Sequence, residues 1–221
     1  MAKDLAIVLN NGGLNAAVLT AVATQRHRLV LVHLETGGDA AARARAAFEQ
    51  QVAHFKPFRE HAVPAGFLAG VGGAGEPPAG AAAVDPRAPT PVTPRLIELL
   101  PHVAVAARYA AHYAAAAVYV GARVGDRADE LARATEYVQV WQDLLQTACG
   151  QTDMEVLAPL LDLDPWQVVD LGATVSAPFD RTWSCTEPGA EPCWACRGCR
   201  AREAAFQQAA KPDPMKVARR G

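Results

Sequence analysis

The fold class is decided by one stretch near the start of the chain, Leu5-Ala6-Ile7-Val8-Leu9 followed by Asn10-Asn11-Gly12-Gly13. Five consecutive apolar residues that stop at a polar, glycine-rich turn are typical of a strand buried on both faces of a parallel sheet. Residues 14–25 then have helical composition, and a second apolar run occupies residues 29–34. A strand, a helix and a second strand within about thirty residues fit a right-handed βαβ unit.

Later segments extend this alternation of helix and strand. Residues 40–55 are rich in alanine with interspersed charges and predict a second helix, and Val63 lies on or near a third short strand. Residues 94–100 predict a helix that Pro101 kinks or ends, and a further helical segment continues to about Ala117.

The second half of the chain completes the pattern. Residues 118–120 predict a short strand, and residues 127–148 predict an amphipathic helix because apolar residues recur every three or four positions. Residues 165–171 predict a short helix that Asp164 caps at its N-terminus and Gly172 ends. We therefore predict an open parallel α/β sheet with flanking helices, Rossmann-like in architecture.

The length and composition predict one domain with an appended element. The chain has 221 residues, of which 51% are hydrophobic, so residues 1–221 can bury one substantial core. Residues 64–94 contain seven prolines and six glycines and predict a flexible insertion. Residues 182–214 hold four cysteines and predict a C-terminal zinc-binding loop and helix.

The charge and hydropathy of the chain exclude several functional classes. A net charge of −2 gives no strong signal for nucleic-acid binding through bulk electrostatics. The apolar run near the N-terminus is too short for a signal peptide. The most apolar stretch, residues 103–120, carries Arg108 and His112, which predicts a core helix and no membrane span. We therefore expect a cytoplasmic protein.

The cysteines form a dense cluster with the spacing C-x7-C-x2-C-x2-C. Four thiols separated by short gaps can converge on one tetrahedral ion, so we predict a structural Zn²⁺ site made by Cys185, Cys193, Cys196 and Cys199. The alternative is a pair of disulfides, which would suit a small secreted protein. The fifth cysteine, Cys149, lies apart and is interpreted as a residue at the end of a helix.

The first strand-to-helix turn is the expected ligand site, because open α/β sheets bind ligands at the carboxyl ends of their strands. Gly12 and Gly13 would let backbone amides approach a phosphate, and the following helix adds the positive end of its dipole. The alternative is an ordinary turn, since paired glycines after a strand are common.

Together the turn and the cysteine cluster resemble the 7-cyano-7-deazaguanine synthase family, which belongs to the PP-loop ATP pyrophosphatases and acts in queuosine biosynthesis. That family opens with a strand and Ser-Gly-Gly-x-Asp-Ser, and it closes with Thr-Trp-Ser-Cys-Tyr and Pro-Cys-Gly-x-Cys-x-x-Cys. The C-terminal matches are Thr182-Trp183-Ser184-Cys185, Pro192-Cys193-Trp194-Ala195-Cys196-Arg197-Gly198-Cys199, Arg202, Ala205-Phe206 and Asp213-Pro214. The internal matches are Val92-Thr93-Pro94-Arg95, the Gly-x4-Asp segment from Gly121 to Asp126, and Pro159-Leu160.

The resemblance implies an adenine nucleotide alpha hydrolase-like fold and an ATP-dependent C–N ligase. The family adenylates 7-carboxy-7-deazaguanine, captures ammonia as an amide and dehydrates that amide to the nitrile, with ATP and Mg²⁺. Carried over to this chain, the nucleotide-binding positions are Asn11, Gly12, Gly13, Leu14, Asn15, Ala16, Arg95, Gly121 and Asp126.

Several polar positions of the family are replaced in this chain. The loop Asn11-Gly12-Gly13-Leu14-Asn15-Ala16 keeps the glycines and loses both hydroxyls and the carboxylate. The family's Asp-Tyr-Gly-Gln-Arg-His after the second strand appears as Glu35-Thr36-Gly37-Gly38-Asp39-Ala40. Leu96 stands for an asparagine and Pro165 for a lysine. Lost cations and magnesium ligands weaken the case for ATP and Mg²⁺ and predict weak, altered or lost activity.

Three hypotheses follow from the sequence. The first is a degenerate synthase-like pseudoenzyme that binds zinc and a nucleotide or deazapurine. The second is an active synthase that handles ATP through Gly12, Gly13, the helix N-terminus, Arg95 and Asp126. The third is a zinc-stabilised, non-catalytic interaction module. A homodimer is compatible with each of them.

Overall fold

A computed structural model describes residues 4–38, 40–70, 92–125 and 128–217. Within these ranges five strands form one sheet, in the spatial order β3-β2-β1-β4-β5, and every neighbouring pair is parallel. The strands are β1 (Leu5–Leu9), β2 (Arg28–Glu35), β3 (Arg59–Pro64), β4 (Ala117–Tyr119) and β5 (Glu155–Leu157). The helices are α1 (Leu14–Arg26), α2 (Ala41–Phe55), α3 (Val92–Tyr113), α4 (Ala128–Cys149), α5 (Pro165–Thr174), α6 (Arg197–Gln208) and α7 (Pro214–Val217).

Strand β1 lies at the centre of the sheet, between β2 and β4. Ile7 is in register with Val30 on one side and with Val118 on the other. The chain therefore leaves β1 toward one edge of the sheet and later returns to the opposite side. The turn after β1 thus lies at the topological switch point, where open α/β sheets bind ligands.

Both faces of the sheet are buried, as the uninterrupted apolar runs predict. One face, with Ile7, Val30 and Val118, packs against α3 and α4. The other face, with Val8 and Leu31, packs against α1, α2, α5 and α6. The predicted open parallel sheet with flanking helices is therefore confirmed.

The alternative that Pro101 ends a helix is wrong. Pro101 lies inside one continuous helix, α3, and does not end it at residue 100. Proline removes one helical hydrogen bond and costs about 3 kcal/mol in a helix interior. Burial of Val103, Ala106 and Ala110 against the sheet offsets this cost, because the same helix face supplies the core.

The end of α3 and the next strands also differ from expectation. The helix ends at Tyr113 and does not continue to Ala117, because Ala114 has a left-handed backbone with φ of +47°. Strand β4 therefore starts at Ala117, one residue earlier than predicted. Strand β5 was missed, since three residues are too few to show a periodicity.

Gly172 does not end its helix. Helix α5 continues to Thr174, and Gly172 lies inside it, where a Cβ atom would be 2.6 Å from Cγ2 of Val18 and would overlap the ring of Phe179. Gly172 thus allows α5 to approach α1 closely. The predicted N-cap is present, because Asp164 and Gln167 form a capping box in which the Asp164 amide donates to Gln167 Oε1 at 2.7 Å.

The predicted insertion, residues 64–94, has structure at both ends. Pro64 ends β3, residues 66–70 form a short 3-10 helix, and residues 92–94 already belong to α3. The remainder, residues 71–91, lies outside the described residues. No helix in the described ranges combines the length and apolar composition needed to cross a bilayer.

Candidate functional site

The four clustered cysteines converge at the start of α6. Their sulfur atoms all lie within 4.8 Å of one another, and none of the chain's five cysteines is in a disulfide. A tetrahedron of Zn–S bonds of about 2.3 Å has sulfurs about 3.8 Å apart. The Sγ atoms of Cys185 and Cys196 are 3.9 Å apart, which fits this geometry. The four thiols could therefore hold one metal ion.

Backbone amides already donate to these sulfurs. Cys196 is the N-cap of α6, and its Sγ accepts from the Cys199 amide at 3.5 Å. The Sγ of Cys193 accepts from the Cys196 amide at 3.3 Å, and the Sγ of Cys185 accepts from the Cys193 amide at 3.4 Å. Such donors favour thiolates, the form that binds metals.

The thiols of the cluster differ in acidity. The hydroxyl and the amide of Thr186, together with the Cys199 amide, lower the pKa of Cys196 to about 5. Burial raises the pKa of Cys199 to about 12. A divalent cation bound among the four sulfurs would favour the thiolate at each of them.

The backbone at Trp194 and Gly198 allows the loop to bring the four cysteines together. Trp194 stands where the related family has glycine, and it keeps a left-handed backbone with φ of +57°. The ammonium group of Lys216 lies over the Trp194 ring, 4.8 Å from the ring centroid. Gly198 lies against the Ser184 carbonyl so closely that a Cβ atom would overlap the oxygen. Trp194 thus preserves the bend and adds a cation–π contact.

A buried ion pair attaches this element to the domain. Arg202 on α6 donates to both carboxylate oxygens of Asp213, from Nε at 2.6 Å and from Nη2 at 2.8 Å. Both side chains are 3% exposed. The guanidinium also donates to the Thr182 hydroxyl and to the Phe179 carbonyl at 2.9 Å. The bidentate geometry holds α6, α7 and the segment before Cys185 together.

The turn after β1 is held by a buried polar network. Asn10 Nδ2 donates to the Thr20 hydroxyl at 3.0 Å and to Gln51 Oε1 at 2.9 Å, and Asn10 Oδ1 accepts from the Gly12 amide at 2.8 Å. His33 stacks on Phe48 and donates from Nδ1 to the Asn10 carbonyl at 2.9 Å. Burial lowers the pKa of His33, so the ring is neutral at pH 7.

The carbonyl of Gly12 joins the turn to the C-terminal element. It accepts from Gln51 Nε2 at 3.0 Å and from the Trp183 amide at 2.9 Å. Gln51 also donates to the Arg181 carbonyl at 3.0 Å. The glycine turn and the cysteine cluster, distant in sequence, therefore form one contiguous site.

Alanine at position 12 should disturb this junction. Gly12 has φ of +76°, and a Cβ atom would overlap the Ala44 carbonyl oxygen and lie 3.1 Å from the Phe48 amide. The left-handed backbone and the overlap together predict a loss of about 2–5 kcal/mol for Gly12→Ala. The loss in the free energy of unfolding is measured by chemical denaturation. Gly38→Ala is the control, since Gly38 has φ of +93° with nothing within 4 Å; equal losses in both variants would contradict the steric argument.

A cleft of three adjoining pockets surrounds Asn15, which lines all of them. The first pocket, about 170 Å³, lies at the carboxyl ends of β1, β2 and β4 and includes Asn11, Ala16 and Gly121. The second, about 370 Å³, extends along the segment after β4 and is lined by Leu96 among others. The third, about 380 Å³, lies between the turn and α6.

The predicted nucleotide-binding positions are only partly brought together. Most of them border the cleft, namely Asn11, Gly13, Leu14, Asn15, Ala16 and Gly121, with Gly12 buried beneath. Arg95 lies in the first turn of α3, with its side chain outside the described part of the structure. Asp126 lies outside the described residues.

Several of the positions that are replaced relative to the family line this cleft. Leu96 is buried and lines the second pocket, and Pro165, the first residue of α5, lines the third. Asn15 brings a neutral amide and Ala16 a methyl group to the same wall. At these positions the cleft is thus more apolar and less charged than the family's motifs imply.

Some residues of the site were missed in the sequence. Asn10, Gln51 and His33 build the turn, but a single polar residue in a helix or strand carries no signal of burial. His102 on α3 also lines the first pocket. Its Nδ1 donates to the Glu98 carbonyl at 3.1 Å, which leaves Nε2 as an acceptor in the neutral ring.

Trp183 contacts both the cleft and helix α2. Its indole lines the third pocket, and the Arg43 guanidinium lies over the ring at 5.7 Å. Its Nε1 is buried and has no acceptor among the described residues. Arg43 also donates to the Gly189 carbonyl at 3.0 Å, which links α2 to the loop of the cysteine cluster.

Comparisons with known proteins agree with this architecture. The family model of queuosine biosynthesis protein QueC matches residues 5–210. The 7-cyano-7-deazaguanine synthase of Koribacter versatilis is 28% identical over 222 residues, which cover 97% of this chain and 94% of that protein. The synthase of Methanothrix thermoacetophila is 33% identical over 114 residues, about half of each chain.

Among solved structures, the U34-tRNA thiolase NcsA of Methanococcus maripaludis with its [4Fe-4S] cluster shares the fold. It has a TM-score of 0.51 at 10% identity, and the match covers 95% of this chain and 68% of that one. The family model spans nearly all of the described domain, including the turn after β1 and the cysteine cluster. This chain therefore belongs to the QueC family of queuosine biosynthesis proteins.

Proposed function

We propose that the chain is a zinc-binding QueC-family protein that binds a nucleotide or deazapurine in the cleft around Asn15 and has weak, altered or lost synthase activity. One observation carries the proposal. In the turn after β1, Gly12 keeps a left-handed backbone. The side chains that follow it and line the cleft are the amide of Asn15 and the methyl group of Ala16. The backbone frame of a phosphate-binding turn is present without its charged and hydroxyl side chains.

The remaining groups suit binding better than adenylation. The first amides of α1 have no acceptor within the helix and lie at the positive end of its dipole, so they can hold an anion. Adenylation also requires a pyrophosphate leaving group neutralised by Mg²⁺ and cations. Asn15 is a poorer ligand for Mg²⁺ than a carboxylate, and Pro165 adds no charge.

We assign the metal as zinc. A single tetrahedral ion accounts for sulfur atoms that lie within 4.8 Å of one another. A four-iron cluster interposes its own sulfides and would hold the thiolates farther apart. Zinc here would be structural, because all four positions are filled by protein thiolates and none is left for water. We place the protein in the cytoplasm, where reducing conditions keep such thiols free.

The test is to mix the purified, metal-loaded protein with ATP, Mg²⁺, ammonia and 7-carboxy-7-deazaguanine and to measure AMP and nitrile. We expect little or no turnover but measurable nucleotide or deazapurine binding by calorimetry. The matched variant is Asn11→Ser with Asn15→Asp and Ala16→Ser, which restores the family's loop. We expect this variant to bind Mg-ATP at least about tenfold more tightly, or 1.4 kcal/mol, because a carboxylate is regained for Mg²⁺.

Two results would contradict the proposal. Turnover by the unaltered chain at about 1 s⁻¹ or faster, within the range of ordinary enzymes, would mean an active synthase that uses its modified loop. Absence of binding for ATP, AMP and the deazapurine alike would mean that the cleft holds none of these ligands.

A further inference from the structure

The first pocket of the cleft combines apolar walls with a small set of polar side chains. Its apolar lining comes from β1, β2, α3 and the residue after β4, namely Leu9, Val32, Leu34, Leu99 and Val120. Its polar side chains are those of Asn10, Asn11, Asn15 and His102. In pockets of this composition the apolar walls hold a small molecule and the polar groups select it.

The polar groups on the turn after β1 are mainly donors. The side chain of Asn10 is engaged in the buried network beneath the turn. Asn11 Oδ1 accepts from the Gly13 amide at 3.0 Å, which leaves Asn11 Nδ2 as a donor toward a ligand. The amide of Asn15 can donate or accept. An acceptor that cannot also donate must therefore come from elsewhere in the pocket.

His102 on α3 supplies this acceptor, because its tautomer is fixed by its own helix. Its Nδ1 lies 3.1 Å from the Glu98 carbonyl oxygen. A carbonyl only accepts, so Nδ1 carries the hydrogen and Nε2 carries a free lone pair. Burial lowers the pKa of His102, so the ring is neutral at pH 7.

Nε2 of His102 is open to a ligand. It has no hydrogen-bond partner among the described residues. Within that part of the chain, Trp183 Nε1 is the only unpaired side-chain nitrogen or oxygen that is sealed from solvent, so Nε2 is accessible.

We propose that His102 determines the base specificity of the cleft, with Nε2 accepting a hydrogen bond from the exocyclic amine of a 6-aminopurine nucleotide. This inference rests on the proposed function, since it assigns one ligand group within the cleft around Asn15. A 6-oxo group at the same place would bring two acceptors together and leave both without a donor. Asn15 and Ala16, in the first turn of α1, line the same pocket, so the phosphate of this nucleotide can reach the helix N-terminus.

The test is calorimetric titration of the full-length, metal-loaded protein with AMP and with purine riboside 5′-monophosphate, which lacks only the 6-amino group. We expect AMP to bind about five- to tenfold more tightly, as one neutral hydrogen bond predicts. His102→Leu should bind the two nucleotides equally, because the acceptor is gone. His102→Gln should keep the preference for AMP, because its Oε1 can accept in place of Nε2.

The matched control is His112→Leu, the same substitution on the same helix. His112 contacts the Tyr113 ring at a centroid distance of 4.7 Å and does not line the first pocket, so this variant should keep the preference for AMP. Circular dichroism establishes that each variant is folded. Equal binding of the two nucleotides by the unaltered chain, or a preference that survives His102→Leu, would overturn the inference and leave the proposed function standing. Failure of both nucleotides to bind would also overturn it, and the proposed function would fall with it only if the deazapurine did not bind either.

Discussion

Replacing Cys196 with serine should abolish stoichiometric zinc binding and destabilise the end of the chain by more than about 4 kcal/mol. Cys196 is both a cluster ligand and the N-cap of α6, and its Sγ lies 3.9 Å from that of Cys185. A serine hydroxyl can still cap the helix, but it is a poor zinc ligand. The expected loss of stability therefore comes from the loss of the bound metal. Removal of the metal from the unaltered protein with a chelator should lower its stability by the same amount.

The matched control is Cys149→Ser. Cys149 ends α4, is half-buried, and donates from Sγ to the Ala107 carbonyl at 3.6 Å, away from the cluster. Burial raises its pKa, so it stays a thiol at neutral pH. This variant should keep one zinc per chain and lose about 1 kcal/mol or less. Metal analysis and thiol titration give the readouts. Unaltered protein that is free of metal and has four reactive cluster thiols would contradict the zinc assignment.

Replacing Asp213 with asparagine should cost about 3–5 kcal/mol in the free energy of unfolding, because it leaves the Arg202 guanidinium buried without its counter-ion. Both side chains are 3% exposed, and the carboxylate accepts two hydrogen bonds from Arg202 and one from the Met215 amide at 3.1 Å. The asparagine side chain can accept through only one atom and carries no charge. Urea unfolding followed by tryptophan fluorescence measures the loss.

The control for this prediction is Asp170→Asn. Asp170 pairs with Lys211 at 3.0 Å, and the two side chains are 57% and 34% exposed. Exposed pairs of this kind contribute about 0–1 kcal/mol. A loss for Asp213→Asn as small as that for Asp170→Asn would mean that water reaches Arg202 and that the ion pair does not anchor α6.

The central part of the fold could be predicted from local pattern. The run from Leu5 to Leu9 is apolar throughout because β1 is covered on both faces, and its end at a glycine pair marks the switch point of the sheet. The spacing of the four cysteines likewise predicted that their sulfur atoms lie close together, because short gaps in sequence allow few other arrangements of the thiols. In both cases the structural cause lies within a few residues of the signal.

The rest of the site depends on contacts between distant residues. Gln51 looks like one more polar residue of an alanine-rich helix, yet it is buried and spans the carbonyls of Gly12 and Arg181. The sequence around Gly172 predicts the end of a helix. In the structure, the absence of a side chain at Gly172 leaves space for the side chains of Phe179 and Val18. Such roles are set by the packing partner, so no window of the sequence around either residue contains the information.

The carbonyl of Gly12 accepts hydrogen bonds from Gln51 and from Trp183, and this has a consequence for biosynthesis of the protein. The βαβ unit is synthesised before the C-terminal element, so its turn gains the Trp183 bond only after Trp183 has left the ribosome. Chains generally fold from the N-terminus as they are synthesised. The turn therefore reaches its final hydrogen-bonded form only when the C-terminal element has packed against it.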